Sequence, residues 1–324
     1  MQTRRLGESE LELSVVGFGA WAIGGGGWAF GWGPQDDTES VRAIHRALDL
    51  GVNWIDTAAV YGLGHSEEVV ARALADRPGK VLVATKCGLC WRPDRRVYGC
   101  LKRDSVRREV EDSLRRLRLD TIDLYQIHWP NPARDLEEGW SAVADLVREG
   151  KVRFAGVSNF NVAQLERAQA IHPVTSLQPP YSMVNRGVEA ELLPFCREHR
   201  IGVVAYSPMQ AGLLTGRFSR ERLAALDAED WRRRDRFFQE PSLGRTLELV
   251  EKLRALGERE GRTPAQLAIA WVLRRPELTA AIVGARRPEQ IEETAAAGEY
   301  TPSPEILAEI SGLLEDDDQH QREG

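Results

Sequence analysis

The sequence predicts an α/β protein: one (β/α)8 barrel domain over residues 1–324, with an N-terminal hairpin and a C-terminal helix. Short apolar runs alternate with amphipathic stretches eight times, and no linker composition divides the chain. Three successive runs each finish at an ionisable residue: Trp54-Ile55 at Asp56, Val81 to Thr85 at Lys86, and Ile122 to Ile127 at His128. In parallel α/β folds, chemistry sits at the carboxyl ends of strands.

Thr3 to Leu13, with Gly7-Glu8-Ser9-Glu10 at its middle, reads as the hairpin. Ser14 to Gly17 is the first barrel strand, and a glycine-rich loop follows. Thr38 to Leu50 is a helix: Val41, Ile44 and Leu48 share a face, and Gly51 stops it. The second strand ends at Asp56. Ser66 is expected to cap the next helix, with Glu67 and Glu68 in its positive first turn. After the third strand a loop runs to Asp104, the expected N-cap of a helix lined by Val106, Val110, Leu114 and Leu117. The fourth strand ends at His128, and a helix from Asp135 to Glu149 stops at Gly150.

Val152 to Val157 is the fifth strand, leading into Ser158-Asn159, and a helix opens at Asn161. The sixth strand is Val174 to Gln178, followed by a helix from Val188 to His199. The seventh, Ile201 to Ala205, runs into Tyr206-Ser207-Pro208. A charged segment reaches Pro241, then come two helices, the second opened by Thr263-Pro264. Thr279 to Val283 is the eighth strand. The last barrel helix starts near Pro288, Ser303-Pro304 opens the C-terminal helix, and the chain from Asp316 reads as frayed.

Net charge is −6 with acids and bases interspersed, which excludes nucleic acid as a main partner because phosphate binding needs a basic face. Met1 to Arg5 leads into no apolar signal region, so a cytoplasmic location is expected. Leu13 to Gln35 is uncharged and long enough to span a bilayer, but glycines break it throughout, so no membrane partner is expected. Cys87-x-x-Cys90 has the spacing of a redox or metal pair. No second pair accompanies it and Trp91-Arg92-Pro93 follows, so the four cysteines read as reduced and no metal is expected.

Two motifs mislead. Gly17-x-Gly19-x-x-Ala22 imitates a dinucleotide fingerprint, but glycines follow it where a helix must open. Tyr98-x-x-x-Lys102 imitates a reductase pair, but Gly99 lies inside it and the helix starts later.

On a barrel, Asp56, Lys86 and His128 come from adjoining strand ends, and Tyr61 lies on the loop between two of them. A cation beside a phenol stabilises the phenolate and is expected to lower the Tyr61 pKa. Asp56 would keep a buried Lys86 charged, and His128 can donate to a carbonyl. The set suits protonation of a developing alkoxide. Singly, each residue is better explained as a salt bridge, a satisfied polar group or loop packing; it is their joint placement that points to chemistry.

Ordered motifs then carry a resemblance along nearly the whole chain. They are Gly51-Val52-Asn53-Trp54-Ile55-Asp56-Thr57-Ala58-x-x-Tyr61-Gly62, Ala84-Thr85-Lys86, Asp123-Leu124-Tyr125-x-x-His128-Trp129-Pro130, Gly156-Val157-Ser158-Asn159-Phe160, Ala205-Tyr206-Ser207-Pro208 and Ile282-Val283-Gly284-Ala285-Arg286. With them the chain resembles the aldo-keto reductases, in particular the bacterial general-stress type near the potassium-channel β-subunit branch. The resemblance implies NADP(H)-dependent reduction of aldehydes or ketones. Tyr61 would be the general acid, Lys86 and Asp56 its tuning pair, and His128 the carbonyl-orienting group. Ser158, Asn159 and Gln178 would bind the nicotinamide carboxamide, and Tyr206 would stack on the ring. Ser207, Gly212 and Leu213 would line the pyrophosphate path, Gly284 and Arg286 would hold the adenosine phosphates, and Gln290 and Glu293 would face the adenine. Gly19, Ala20, Trp21, Asp56, Pro208, Gly216 and Arg217 complete the implied cofactor site. A guanidinium beside a 2′-phosphate makes Arg286 the argument for NADPH over NADH.

Trp21, Trp91 and Trp129, with Tyr61 and His128, are expected to wall the substrate pocket, and Trp28 and Trp32 are further candidates; tryptophans that merely fill loops are the alternative. Many members carry Glu-Asn where this chain has Glu293-Thr294. Arg217 to Arg236 reads either as a cofactor lid or as a solvated excursion. The partners expected are a small-molecule carbonyl and at most a weak homo-oligomer. The same resemblance admits a second function, a nicotinamide-binding sensor or accessory subunit with incidental turnover.

Overall fold

The computed structural model describes residues 1–75, 77 and 81–322. Strands β1 (Thr3–Arg5) and β2 (Glu12–Ser14) form the antiparallel hairpin. Eight parallel strands then close a barrel in the order β3 (Val16–Gly19), β4 (Trp54–Asp56), β5 (Leu82–Cys87), β8 (Ile122–Ile127), β9 (Val152–Ser158), β10 (Ser176–Gln178), β11 (Gly202–Ala205) and β12 (Leu278–Gly284), which returns to β3. Helices α1 (Asp37–Asp49), α2 (His65–Ala75), α3 (Arg103–Leu117), α4 (Leu136–Arg148), α5 (Val162–Gln169) and α6 (Leu192–Glu198) follow in alternation. After β11 come a short α7 (Arg220–Ala224), then α8 (Ser242–Glu260) and α9 (Pro264–Leu273); α10 (Pro288–Ala295) and α11 (Pro304–Arg322) end the chain.

Side chains alternate across each strand. One set, including Ile55, Val83, Tyr125, Val157 and Leu177, packs outward on the helices. The other points inward: Trp54, Ala84, Leu124, Val204, Ala280 and Ile282 fill the lower barrel, and Leu6, Leu11 and Leu13 of the hairpin plug it from below. Trp54 donates from its indole N–H to Ser14 O at 2.9 Å, and its ring lies where a Cβ on Gly17 would sit, about 2.0 Å away. Glycine is therefore required at position 17. Emptying the Trp54 site would cost about 3–5 kcal/mol. Two residues further along each strand, the same inward alternation delivers Asp56, Lys86, Gln126, Ser158 and Gln178 to the carboxyl rim. The register steps by two residues at two of the seams: Asp56 pairs with Ala84, two residues before Lys86, and Gln126 with Gly156, two before Ser158, whereas Lys86 pairs with Gln126 and Ser158 with Gln178.

Caps follow local chemistry. Asn161 and Thr263 each form a reciprocal capping box with a glutamine three residues on, and Asp36 caps α1. Two expected caps are not used. Helix α2 starts at His65, and Ser66 turns inward instead: its Oγ donates to Ala20 O at 2.9 Å and meets Thr57 Oγ1 at 2.8 Å. Helix α3 starts at Arg103 after Lys102, which makes no side-chain cap, so Asp104 lies inside the first turn. The first barrel strand sits two residues later than expected, and α11 continues through Arg322 rather than fraying at Asp316. The expected loop before α3 holds a second hairpin, β6 (Leu89–Trp91) with β7 (Val97–Gly99). Its alternation is too short to read against the surrounding Arg, Pro and Gly.

Candidate active site

Tyr61 reaches the rim because the chain turns sharply after β4. Its neighbour Gly62 has φ +63°, and a Cβ there would stand 2.1 Å from Gly24 O. The glycine-rich loop and the Tyr61 loop thus touch backbone to backbone, which only glycine permits.

The Lys86 ammonium, from β5, is the hub. It donates to Asp56 Oδ1 at 2.5 Å and Thr57 O at 2.8 Å, and lies 3.5 Å from the Tyr61 hydroxyl. Its side chain has no solvent exposure and that of Asp56 has 4%. The Tyr61 ring meets the His128 imidazole edge-to-face with centroids 5.6 Å apart. His128 is held at the end of β8 by its N–H to Cys87 O at 2.9 Å. The four residues expected to carry chemistry therefore stand together.

Their electrostatics differ from the expectation in one respect. Burial pushes the Tyr61 phenol well above its ordinary value, with Asp56 and Tyr206 adding to the rise. The lowering by Lys86 does not appear, because desolvation of the phenolate dominates and Asp56 already balances the ammonium charge. Burial likewise lowers Lys86, opposed by Asp56, and holds His128 well below its usual range with Lys86 adding to the effect. Both directions favour the uncharged forms at neutral pH, a protonated phenol beside a neutral imidazole.

A cleft of about 650 Å³ opens above them. Gly19, Trp21, Asp56, Tyr61, His128, Trp129, Ser158, Asn159, Gln178, Tyr206, Ser207, Pro208, Gly212, Arg217, Gly284, Arg286, Gln290 and Glu293 all line it. The β6–β7 hairpin supplies Leu89, Val97 and Tyr98, and Trp28, Phe30 and Trp32 come from the glycine-rich loop. Lys86 lies beneath its floor, and four of the residues expected to contact cofactor or substrate do not line it. Ala20 is sealed beneath the rim, its N–H on Asp56 O at 2.8 Å. Leu213 is turned into an apolar cluster with Phe218, Phe238 and Leu243. Gly216 presents its carbonyl to Arg254 at 2.6 Å. Trp91 lies further along the hairpin, its ring facing the Arg116 guanidinium at 6.0 Å.

The donor set fits a dinucleotide. At one end Ser158, Asn159 and Gln178 converge. Asn159, at φ +62°, donates to His128 O and Ser158 Oγ, both at 3.0 Å, and accepts from the Tyr206 hydroxyl at 2.9 Å. At the other end lie Arg217, Arg222, Arg232, Arg286 and Arg287. Between them the backbone at Ser207, Gln210 and Ala211 has positive φ, strain of the sort kept at binding sites, and Gly212 takes its positive φ without strain. The buried Trp32 indole N–H has no hydrogen-bond partner among the described residues. Arg286 is not free for a phosphate: it donates to Gln35 Oε1 at 2.5 Å, Trp32 O at 3.3 Å and Pro34 O. Arg287 has no side-chain partner among the described residues and lies exposed.

The Arg217–Arg236 segment does reach the cleft. Trp231 stacks on Trp21 at 5.0 Å and meets Trp32 edge-on at 5.7 Å, while the Arg232 guanidinium, paired with Asp230 at 2.6 Å, sits 4.4 Å over Trp32. Sequence reading missed Trp231, Arg287 and Gln126. Only Gln126 carried a signal, since it lies two residues before His128 on the same strand face. Among the described residues no group of three or more His, Cys, Asp or Glu is placed to hold a metal, and no helix is long and apolar enough to cross a membrane.

Known proteins share this arrangement. The family model described as "Aldo/keto reductase family" matches residues 16–315. Aldo-keto reductase YhdN of Bacillus subtilis (strain 168) is 36% identical over 318 residues, 97% of this chain and 94% of that protein. The NADH-specific methylglyoxal reductase of Escherichia coli (strain K12) is 35% identical over 90% of this chain and 92% of that protein. The structure of the glycerol dehydrogenase AKR11B4 from Gluconobacter oxydans superposes with a TM-score of 0.88 at 39% identity, covering 97% of this chain and 95% of that one. A closed parallel barrel whose rim gathers Asp56, Tyr61, Lys86 and His128, matched over nearly its full length, belongs to the aldo/keto reductase family.

Proposed function

We propose that the chain reduces aldehydes or ketones to alcohols with NADPH, using Tyr61 as the general acid. The observation that carries this is the buried Lys86 ammonium set between Asp56 Oδ1 and the Tyr61 hydroxyl at the cleft floor. Ser158, Asn159, Gln178 and Tyr206 would hold a reduced nicotinamide in the cleft, and that group would supply the hydride for the carbonyl carbon. The chain's own residues do the rest. His128, neutral, donates to the carbonyl oxygen and orients it. Tyr61 gives its proton to that oxygen as negative charge develops, and Lys86 stabilises the phenolate left behind. Asp56 keeps the ammonium in place, and Trp21, Trp28 and Trp129 exclude water.

The five arginines near Gly284 support a phosphorylated cofactor. Arg287 can meet a 2′-phosphate as it stands, whereas Arg286 would first have to leave the carbonyls of the glycine-rich loop. The Escherichia coli relative is described as NADH-specific, so this preference is a property of this chain's own residues to be measured. The aromatic walls favour uncharged aromatic aldehydes. Free cysteines at positions 87, 90, 100 and 196 agree with a cytoplasmic location, and we propose a monomer or weak homo-oligomer.

The test is NADPH consumption with an aromatic aldehyde, wild type beside Tyr61→Phe. Multiple turnovers that fall by at least about a hundredfold in the variant, the usual worth of a general acid, are expected. Tight NADPH binding without turnover on any carbonyl would favour a cofactor sensor instead, and the Trp21–Trp231 stack is the feature that would slow its release.

A further inference from the structure

Gln126 has no role in the chemistry above, yet it is fully buried among it. It stands beside Lys86 in the β5–β8 register and beside Gly156 on β9. A Cβ on Gly156 would approach Gln126 Cγ to 3.2 Å and Ser176 Oγ to 2.4 Å, so the missing side chain at 156 is what makes room for it.

Its hydrogen bonds close a triangle. Gln126 Nε2 donates to Asp56 Oδ2 at 3.3 Å. Gln178 Nε2 donates to the same Oδ2 at 2.8 Å and to Gln126 Oε1 at 3.2 Å. The carboxylate dictates both amide orientations, since turning either one over would set oxygen against oxygen. Both hydrogens of the Gln178 amide are therefore used within the protein. Its Oε1 accepts nothing among the described residues, and Gln178 lines the cleft. The other oxygen of Asp56 holds Lys86.

We propose that Gln126 is a positioning residue for the reaction. It locks the Gln178 amide onto Asp56, so that one carboxylate sets both the acceptor offered to the nicotinamide carboxamide and the ammonium that serves Tyr61. Two functions that lie on different strands are thereby held in one register by a residue that touches neither cofactor nor substrate. The proposal rests on the reductase reading for its kinetic consequence, but not for its effect on cofactor binding.

Two variants test it, with NADPH Kd read from tryptophan fluorescence and kcat from NADPH consumption. Gln126→Met keeps the volume and removes both hydrogen bonds. It should weaken NADPH and lower kcat, each by about three- to tenfold, the worth of about one hydrogen bond, with the carbonyl KM unchanged. Gln126→Glu keeps the acceptor for Gln178 but places a second carboxylate beside Asp56, with Lys86 the cation on the neighbouring strand. Its Kd and kcat should match the wild type only at low pH, where the introduced carboxyl is protonated and donates again. That adds a pH limb that the wild type lacks. Wild-type Kd and kcat in the Met variant, or a Glu variant whose pH profile runs parallel to the wild type, would overturn the proposal. If the Met variant does not fold, the pH profile of the Glu variant decides alone. A wild type that binds NADPH but turns over no carbonyl refutes the reductase reading and leaves the Kd comparison standing as the test of Gln126.

Discussion

Lys86→Met isolates what the buried pair does for the fold. The ammonium lies 2.5 Å from Asp56, and neither side chain is exposed beyond 4%. Removing Lys86 leaves the Asp56 carboxylate without its cation, although Gln126 and Gln178 still donate to Oδ2. Breaking one partner of a buried pair costs about 3–5 kcal/mol, most of it the uncompensated charge. Unfolding entropy of about 2 cal/mol/K per residue gives a chain of this length about 0.7 kcal/mol/K, so the melting temperature should fall by about 4–7 °C. Asp56→Asn combined with Lys86→Met removes the stranded charge while leaving an oxygen for the two glutamine donors. The double variant should regain at least about 2 kcal/mol over the single one, a coupling within the range for residues in contact. Urea denaturation followed by circular dichroism measures both. A double variant as unstable as the sum of the two singles, or a Lys86→Met protein within about 1 kcal/mol of the wild type, would refute the charge argument.

Further outcomes follow from the same geometry. Glu109 accepts from Gly88 N at 2.9 Å and Ser105 Oγ at 3.1 Å, and burial pushes its carboxyl up to about 7. A carboxyl raised in the folded state favours folding below its unfolded value and loses that contribution as pH rises through about 7. Stability should thus decline between roughly pH 4.5 and 7 by at most roughly 3 kcal/mol, less screening at the exposed edge, and Glu109→Gln should flatten the decline in urea titrations at several pH values. Arg287→Ala should weaken NADPH by about tenfold or more while sparing NADH, as loss of a charge-assisted contact predicts. Arg286→Ala should weaken both cofactors alike by freeing Trp32 and Pro34, and fluorescence titration distinguishes the two patterns. Trp231→Ala removes a stacked ring worth about 0.5–1.5 kcal/mol, so stopped-flow release of NADPH should speed up several-fold.

The barrel and its four-residue centre were legible because both are written in short-range patterns. Period-two alternation places Trp54 and Asp56 on one strand face, and the same rule places Leu124, Gln126 and His128 together. The fold class and the gathering of Asp56, Tyr61, Lys86 and His128 at one rim followed from that alternation and from the strand-end residues. The β6–β7 hairpin escaped because three-residue strands leave too little pattern, and Ser66 escaped because its partners Ala20 and Thr57 are brought to it by other elements. What only the tertiary structure decided is how the groups act on one another. Burial, not the Lys86 charge, governs the Tyr61 phenol, and this depends on how completely the barrel mouth is roofed. The motif puts Arg286 at the cofactor phosphates, yet its guanidinium is taken by carbonyls 252 and 254 residues away in the chain. Alternation gives Gln126 its face, beside His128, but nothing local says that Asp56 and Gln178 will meet it there. Local sequence dictates which face a side chain takes; its protonation and its partners depend on desolvation and on contacts between strands distant in sequence, and these exist only once the barrel has closed.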